Sequence, residues 1–214
     1  MKHYTTSDIK NLDKLFRLNL INSCTGYKSA NLLATKSKSG QTNVAVFNSV
    51  HHIGSNPAML GFILRPTTAP RNTFENIKET GVFTVNHIHK DMIEQAHQTA
   101  AKYENNISEF NQTGLEEEYL DGFFAPYVKQ SSVKIGCRYL NKYHITENDT
   151  ILVVAAIEHL YFEEGIQTPD GWLRLDDADT VAINGLDGYA LPVLLDRFHY
   201  ARPGKEIKSF FKKE

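Results

Sequence analysis

Cysteine is scarce in this 214-residue chain, which contains only two. Cys24 and Cys137 lie far apart and do not have the paired spacing of a zinc-binding or redox motif. We therefore expect neither a cysteine-based metal site nor a redox pair. Both residues are interpreted as buried free thiols in a reducing compartment.

Long apolar runs and an excess of either charge are also missing. The longest apolar run in the C-terminal half covers residues 151–157, far fewer than the ~20 residues that span a bilayer. The first residues lack the apolar core of a secretion signal. A formal net charge of −2, with Lys and Arg evenly scattered, argues against nucleic acid or acidic membranes as partners. We expect a cytoplasmic protein that binds a small or uncharged partner.

What remains is the composition of an ordinary globular protein. Apolar residues make up 41% of the chain and charged residues 22%, which is typical of a chain with a packed core. The length fits one domain, and no internal repeat or low-complexity block divides it. We therefore predict a single domain over residues 1–214.

Segments that favour β-structure recur along the chain, separated by turn-forming residues. Strands are predicted at residues 30–35, 42–50, 58–64, 82–88, 133–139 and 151–162, with the first two forming a hairpin and the third a central strand. Helices are predicted at residues 8–18, which would lie on a sheet, and at 72–80 and 92–101; the second of the three would begin on a capping box with Asn72 as N-cap. Six strands and few helices indicate a mostly β protein, either a barrel or a sandwich.

Two further segments are predicted to lie at the surface. Residues 103–120 are rich in Asn and Glu and poor in large apolar groups, which predicts a surface excursion with marginal helix. The tail from residue 187 onward carries several aromatic residues, and exposed aromatics at a chain end often mark a partner surface.

One strand end changes to polar residues where a core strand would stay apolar. Phe47 leads directly into Asn48, Ser49, Val50 and His51. The backbone N–H and C=O groups of such a segment can bond the edge of a heteroaromatic ring, because each of them needs a hydrogen-bond partner.

Two arginines flank the loop before the second predicted helix. Arg65 and Arg71 stand on either side of it, and Asn72 and Thr73 follow at the helix start. Free N–H groups, a hydroxyl and two guanidinium groups together can bind a phosphate. The alternative is an ordinary helix cap with two solvated arginines. The nearby polar strand end favours the binding site.

Several segments stand in an order that is typical of one known family. They are Gly26-Tyr27-Lys28-Ser29-Ala30-Asn31-Leu32, Asn43-Val44-Ala45-Val46-Phe47-Asn48-Ser49-Val50, Ser55-Asn56-Pro57, Arg65-Pro66, Arg71-Asn72-Thr73 with Asn76-Ile77, and Gly81-Val82-Phe83-Thr84-Val85-Asn86. Further on, Gly185-Leu186-Asp187-Gly188-Tyr189 and Tyr200-Ala201-Arg202-Pro203 extend the similarity to nearly the whole chain. The chain thus resembles the flavin reductase-like, FMN-binding split-barrel family.

This resemblance implies a six-stranded antiparallel split β-barrel with peripheral helices, which forms a homodimer with FMN near the subunit interface. The residues that would lie along the flavin ring and ribityl chain are Phe47, Asn48, Ser49 and Val50, with His51 beside them, and those that would hold the phosphate are Arg65, Arg71, Asn72 and Thr73. Which of the two arginines contacts the phosphate stays open.

The chemistry implied by the resemblance asks little of catalytic side chains. A flavin accepts hydride at N5 by its own chemistry, so the protein mainly supplies binding, orientation and electrostatic tuning. No Gly-x-Gly-x-x-Gly element follows a strand, so an NAD(P)H donor would dock directly over the flavin. We expect an FMN-dependent oxidoreductase of the flavin reductase type. The alternatives are a non-enzymatic FMN electron-transfer protein reduced by a redox protein, and a split-barrel dimer that has lost flavin.

The nine histidines raise the question of a metal site. His51 and His52 are adjacent, so on a strand they point to opposite faces and cannot chelate one ion. His87 and His89 would share a face, but no third ligand has a suitable spacing. Since Cys24 also lacks a partnered His, we predict neither a metal site nor nucleophilic catalysis.

Overall fold

The protein is described by a computed structural model that covers residues 1–66, 71–104 and 106–211. Its helices are α1 (Thr6–Asn11), α2 (Lys14–Cys24), α3 (Asn72–Thr80), α4 (Ile93–Gln98) and α5 (Glu109–Thr113). Its strands are β1 (Tyr27–Ser29), β2 (Asn31–Lys36), β3 (Thr42–Phe47), β4 (His51–Ser55), β5 (Ala58–Leu64), β6 (Val82–His87), β7 (Glu117–Glu118), β8 (Tyr127–Val128), β9 (Val133–Ile145), β10 (Thr150–Phe162), β11 (Ala182–Asn184) and β12 (Gly188–Ala190). None of the helices in these ranges is long and apolar enough to cross a membrane.

Seven antiparallel strands form the main sheet, in the order β3-β2-β6-β9-β10-β5-β4. The two edge strands, β3 and β4, are consecutive in the chain. The rings of Phe47 on β3 and Phe62 on β5 meet edge to face, with centroids 5.3 Å apart. Because strands from the two ends of the sheet touch, the sheet curls into a barrel with an opening between β3 and β4, which we call the seam.

The predicted fold class is confirmed, with a correction to the strand count. The main sheet has seven strands, whereas six were predicted, because residues 51–55 form an additional edge strand. The smaller sheets β1-β11-β12 and β7-β8 were not predicted, since strands of two or three residues leave no periodic pattern.

The barrel interior is filled by alternate side chains of the main sheet. Phe62 and Phe83 are fully buried there and meet edge to face at 5.5 Å. Helix α3 covers the interior through Phe74 and Ile77, both essentially inaccessible to solvent. Burying side chains of this size stabilises the fold by roughly 1.5–3 kcal/mol each, so this interior holds the seam in place.

Helix ends account for two corrections. The predicted helix 8–18 is broken, because Asp13 caps α2 by accepting hydrogen bonds from the N–H groups of Leu15 and Phe16 at 2.9 and 3.2 Å. Neither α1 nor α2 contains a buried residue, so the expectation that this segment lies on a sheet was wrong. The predicted capping box was also wrong, since Arg71 is the N-cap and Asn72 the first helical residue.

Other predicted boundaries held or shifted slightly. Helix α3 ends at Gly81 as predicted, in the left-handed conformation with φ 78°. Strand β5 has the predicted bounds. It was predicted to be a central strand, but it lies second from the edge of the main sheet, between β10 and the edge strand β4. Helix α4 is shorter than predicted, as a 3-10 turn at Lys90–Met92 precedes it. Cys137 is buried as predicted, whereas Cys24 is exposed.

Residues 103–120 are not the solvated excursion that was predicted. Their helix α5 buries Glu109 and Phe110, and it lies along the outer edge of β3. Glu109 Oε2 accepts the outward N–H of Val44 at 3.1 Å, and Thr99 Oγ1 accepts that of Val46 at 2.9 Å. Helix α5 and Thr99, which follows α4, therefore both bond the edge strand β3, which would otherwise be open to other chains.

Candidate functional site

The polar strand end lies where the chain crosses the seam from β3 to β4. Strand pairing stops at Phe47, opposite Asn31, and resumes at His51, opposite Gly61. Between them, the three consecutive N–H groups of residues 48–50 donate to no acceptor in the described part of the chain. This row of backbone amides, which we call the amide row, is therefore available to a ligand.

Side chains of the amide row hold its backbone in place. The Ser49 hydroxyl donates to Ile63 O and accepts from Ile63 N, both at 3.1 Å, which ties the row to β5. Asn48 Nδ2 donates to Gly185 O at 2.9 Å, and Ser29 Oγ donates to Val50 O at 2.7 Å. The side chains thus fix the row and leave its N–H groups as the free donors.

The remaining predicted ring contacts lie on opposite sides of the row. Phe47 is half-buried and belongs to the barrel interior, where its ring meets Phe62. His51 is exposed, and its Nδ1 lies 2.9 Å from Ser49 O. Among the predicted residues, Phe47 therefore supports the row from inside, and His51 lies beside it at the surface.

The start of α3 provides a second group of free donors. The N–H groups of Phe74 and Glu75 both donate to Arg71 O, at 2.8 and 2.9 Å. Those of Asn72 and Thr73 have no acceptor among the described residues. The helix start also has no side-chain cap. Unpaired amides at a helix N-terminus favour an anion.

Arg71 and Thr73 carry further polar groups at this helix start. Arg71 Nε is buried and has no described partner, and its Nη2 makes only a long 3.5 Å contact with Pro66 O. Thr73 Oγ1 accepts a 3.0 Å hydrogen bond from Asn43 Nδ2, and both residues are buried. Because the amide of Asn43 fills an acceptor position, the Thr73 hydroxyl hydrogen is free to donate elsewhere.

Arg65 differs from Arg71 in its surroundings. It is exposed at the end of β5, whereas Arg71 is half-buried. The loop predicted between them includes residues 67–70, which lie outside the described residues. Arg71, Asn72 and Thr73 therefore stand together at the start of α3, and Arg65 is an exposed residue directly after β5.

Three supporting residues were missed by the sequence analysis: Ser29, Asn43 and Gly185. Each contacts a residue at least 21 positions away along the chain. Local patterns contain no signal for such contacts. Ser29, Asn43 and Gly185 do lie in the segments that carry the family resemblance, and that is where a search could have found them.

Among residues 1–66, 71–104 and 106–211, no three His, Cys, Asp or Glu side chains are arranged to hold an ion. Burial lowers the pKa of His87 to about 4, so its imidazole is neutral at pH 7.

Comparison with known proteins agrees with this architecture. The family model of the flavin reductase like domain matches residues 26–180. A solved flavin reductase with a split barrel domain from Shewanella frigidimarina NCIMB 400 superimposes with a TM-score of 0.91 and 42% identity, covering 94% of this chain and 100% of the other. The flavoredoxin of Desulfovibrio vulgaris (Miyazaki F) has a TM-score of 0.68 and 18% identity, covering 83% and 91% of the two chains. At that identity the similarity concerns the fold alone.

Curated relatives match over shorter stretches. A protein of Aquifex aeolicus (strain VF5) is 26% identical over 129 residues, or 56% of this chain and 65% of the relative. The protein YwrF of Bacillus subtilis (strain 168) is 28% identical over 125 residues, or 58% of this chain and 60% of the relative. The chain therefore spans less than two thirds of the length of these relatives.

Proposed function

The chain belongs to the flavin reductase like domain family, and we propose that it is an FMN-dependent oxidoreductase in which NAD(P)H reduces the bound flavin. The observation that carries this proposal is that two sets of free donors, the amide row and the start of α3, lie near the two ends of β3. The amide row follows the end of β3, and Asn43, at its beginning, contacts Thr73 at the start of α3. The residues from Asn43 to Asn48 span roughly 17 Å at 3.3–3.4 Å per residue, which suits an elongated ligand.

The amide row suits the polar edge of a flavin ring. Three consecutive N–H donors can bond the carbonyl oxygens and ring nitrogens of such an edge, and the bonds from Ser29 and Ser49 hold the row in position. Backbone donors fixed in this way lose little freedom when a ligand binds. The role of these residues is to bind and orient the ring.

The start of α3 suits the phosphate. Arg71 would supply the positive charge, Asn72 and Thr73 their backbone N–H groups, and Thr73 also its hydroxyl hydrogen. The buried Nε of Arg71 has no acceptor among the described residues, and this supports the assignment, because leaving a buried N–H of a charged group without an acceptor is unfavourable.

FMN supplies the hydride and electron chemistry when it is bound, and the chain needs to provide no nucleophile or acid-base pair for it. The residues around the seam bind and orient, and the barrel interior behind Phe47 excludes water from one side. We include a reducing, cytoplasmic location in the proposal, since both cysteines are free thiols.

A homodimer is part of the proposal. Helix α2 buries none of its residues and exposes Leu15, Phe16, Leu18 and Ile21, with 66%, 48%, 36% and 41% of their surfaces accessible. The tail exposes a second group of large apolar side chains: Leu191, Val193, Leu195, Phe198 and Tyr200. Apolar surfaces of this extent are typical of protein interfaces, and a second copy of this chain would cover them.

A second candidate function is electron transfer without catalysis, in which a redox protein takes the place of NAD(P)H. The fold similarity to flavoredoxin and the exposed apolar tail favour it, because a tail of this kind can contact a protein donor.

Spectroscopy tests both candidates. Purified protein titrated with FMN should show a flavin absorbance spectrum that shifts on binding. Under anaerobic conditions, stopped-flow mixing with NADH or NADPH should then bleach the absorbance of the bound flavin in a single turnover. FMN binding without bleaching by either nucleotide would favour the electron-transfer protein. An FMN titration with no spectral change would contradict both, and would leave a split barrel that does not bind flavin.

A further inference from the structure

Four buried polar side chains connect the hairpin of β2 and β3 to the first two turns of α3. Asn43 Nδ2 donates to Thr73 Oγ1 at 3.0 Å. Asn76 Nδ2 donates to Thr35 Oγ1, also at 3.0 Å. All four residues are buried, and we call them the polar clamp. Asn76 belongs to the segments that carry the family resemblance, but the proposed FMN site does not include it.

The backbone places the four side chains of the polar clamp opposite one another. Thr35 and Asn43 are direct partners in the pairing of β2 with β3, so their side chains leave the same face of the sheet. Thr73 and Asn76 are three residues apart on α3, so they lie on the same side of the helix. The two hydrogen bonds therefore join one cross-strand pair to one side of α3.

Apolar packing already holds α3 on the barrel, through the buried side chains of Phe74 and Ile77. Such packing is non-directional, whereas a hydrogen bond weakens steeply when its distance or angle changes. Burying a polar side chain also costs free energy unless it is hydrogen-bonded. A helix that only covered the interior would need no buried amides or hydroxyls on this side. The polar clamp therefore indicates that the start of α3 requires a defined position.

The polar clamp acts on the groups that are assigned to the phosphate. The bond from Asn43 occupies an acceptor position of Thr73 Oγ1, which leaves the hydroxyl hydrogen as the donor. The bond from Asn76 to Thr35 holds the helix about one turn further along. Because α3 is held at two points, both the position and the direction of its first N–H groups are fixed.

We propose that the polar clamp positions the start of α3 for the phosphate of FMN, with Thr35, Asn43 and Asn76 as positioning residues that act through the helix. This inference rests on the proposed function, because it assumes that the phosphate binds at Asn72 and Thr73. Its consequence is selective. Loss of the clamp should weaken binding of the phosphate and leave binding of the flavin ring nearly unchanged.

The test titrates FMN and riboflavin into each variant and follows the quenching of flavin fluorescence. Thr35→Val keeps the shape of the side chain but removes the acceptor for Asn76. FMN affinity should fall roughly three- to tenfold and riboflavin affinity less than about twofold, as expected for one neutral hydrogen bond. Thr35→Ser keeps the hydroxyl and should retain the wild-type ratio of the two affinities.

Thr84→Val is the matched control. Thr84 is also fully buried and accepts a side-chain amide, from Asn86 Nδ2 at 2.9 Å, but its own hydroxyl donates to Pro126 O at 2.6 Å and has no described bond to α3. This variant should lower the Tm and leave the ratio of FMN to riboflavin affinity unchanged. A general loss of stability is thereby separated from a displaced helix start.

A double-mutant cycle tests whether Asn43 acts through the Thr73 hydroxyl. Asn43→Leu should lower FMN affinity roughly three- to tenfold in the wild-type background. In a Thr73→Val background the same change should alter it by less than about twofold, because the hydroxyl that Asn43 orients is gone. The cycle also decides the question if Thr35→Val does not fold, since it leaves Thr35 unchanged.

The possible failures are distinguishable. Equal losses of FMN and riboflavin affinity in Thr35→Val, an equal shift of their ratio in Thr84→Val, or additive effects of Asn43→Leu and Thr73→Val would each overturn the polar clamp and leave the proposed FMN site standing. A wild-type protein that binds neither flavin would overturn the proposed function and this inference together.

Discussion

Replacement of Arg71 by Ala should weaken FMN binding while leaving riboflavin binding unchanged. The Arg71 guanidinium is half-buried, its Nε has no described partner, and its only described hydrogen bond is the 3.5 Å contact with Pro66 O. The substitution would therefore remove one described hydrogen bond of the folded state. A hydrogen bond to a charged group contributes roughly 1.5–3 kcal/mol, which corresponds to roughly 10- to 150-fold in FMN affinity.

The assay compares two ligands that differ only in the phosphate. FMN and riboflavin are each titrated into wild-type and Arg71→Ala protein, and binding is followed by the quenching of flavin fluorescence. Arg65→Ala is the matched control, because Arg65 lies close to Arg71 in the chain but is exposed. It should change FMN affinity by less than about threefold, as expected for a solvated charge.

Two results would refute this reasoning. An equal loss of FMN and riboflavin affinity in Arg71→Ala would mean that the arginine supports the ring or the fold and not the phosphate. An FMN affinity that falls in Arg65→Ala and not in Arg71→Ala would move the phosphate contact to the exposed arginine. Circular dichroism and thermal unfolding of each variant show whether the fold is intact.

Three other variants test separate parts of the molecule. Ser49→Ala removes two 3.1 Å bonds to the β5 backbone and should reduce the affinities for FMN and riboflavin together, in contrast to the phosphate variant. Burial raises the pKa of the Glu109 carboxyl, so the native state holds this proton more tightly than the unfolded state does. The stability of the native state should therefore fall as the pH rises from the unfolded-state pKa through the raised native-state pKa. As the pH rises above about 4, the ordinary range of a Glu carboxyl, the Tm of Glu109→Gln should therefore fall less than that of wild type, and equal slopes would contradict this assignment. Leu15→Glu with Ile21→Glu should convert a dimer to monomer in sedimentation, whereas Lys38→Glu on a hairpin loop should not; a monomeric wild type would exclude the proposed dimer.

Local sequence patterns predicted those parts of the fold that depend on local physics. The hairpin of β2 and β3 and the bounds of β5 follow from short apolar runs between turn residues. The end of α3 follows from Gly81, since glycine adopts the left-handed conformation at no steric penalty. The start of α3 was predicted less accurately. Asn72 and Glu75 have the spacing of a capping box, but the N-cap is Arg71, one residue before the predicted N-cap Asn72.

Long-range contacts explain the remaining errors. Glu109 was interpreted as part of a polar surface, because no local pattern shows that its carboxylate accepts the N–H of Val44 across 65 positions of the chain. A buried carboxyl with a raised pKa is unusual in a polar segment, and tertiary structure overrides composition here. The error at α2 is of the opposite kind. Its apolar stripe predicts a buried face, but in the described part of the chain no residue of α2 is buried.

The candidate site was predicted from a polar strand end, an arginine-flanked helix start and a family resemblance, and not from a catalytic motif. Asn48 and Ser49 use their side chains to bond Gly185 and Ile63, so their backbone N–H groups remain as the free donors. Any residue that can make the same supporting bonds would present the same donors. Substitutions that keep those bonds, such as Ser49→Thr, should therefore retain flavin binding, whereas substitutions that remove them should not. Binding through backbone groups, as proposed for this site, requires few particular side chains and therefore leaves little local pattern in the sequence.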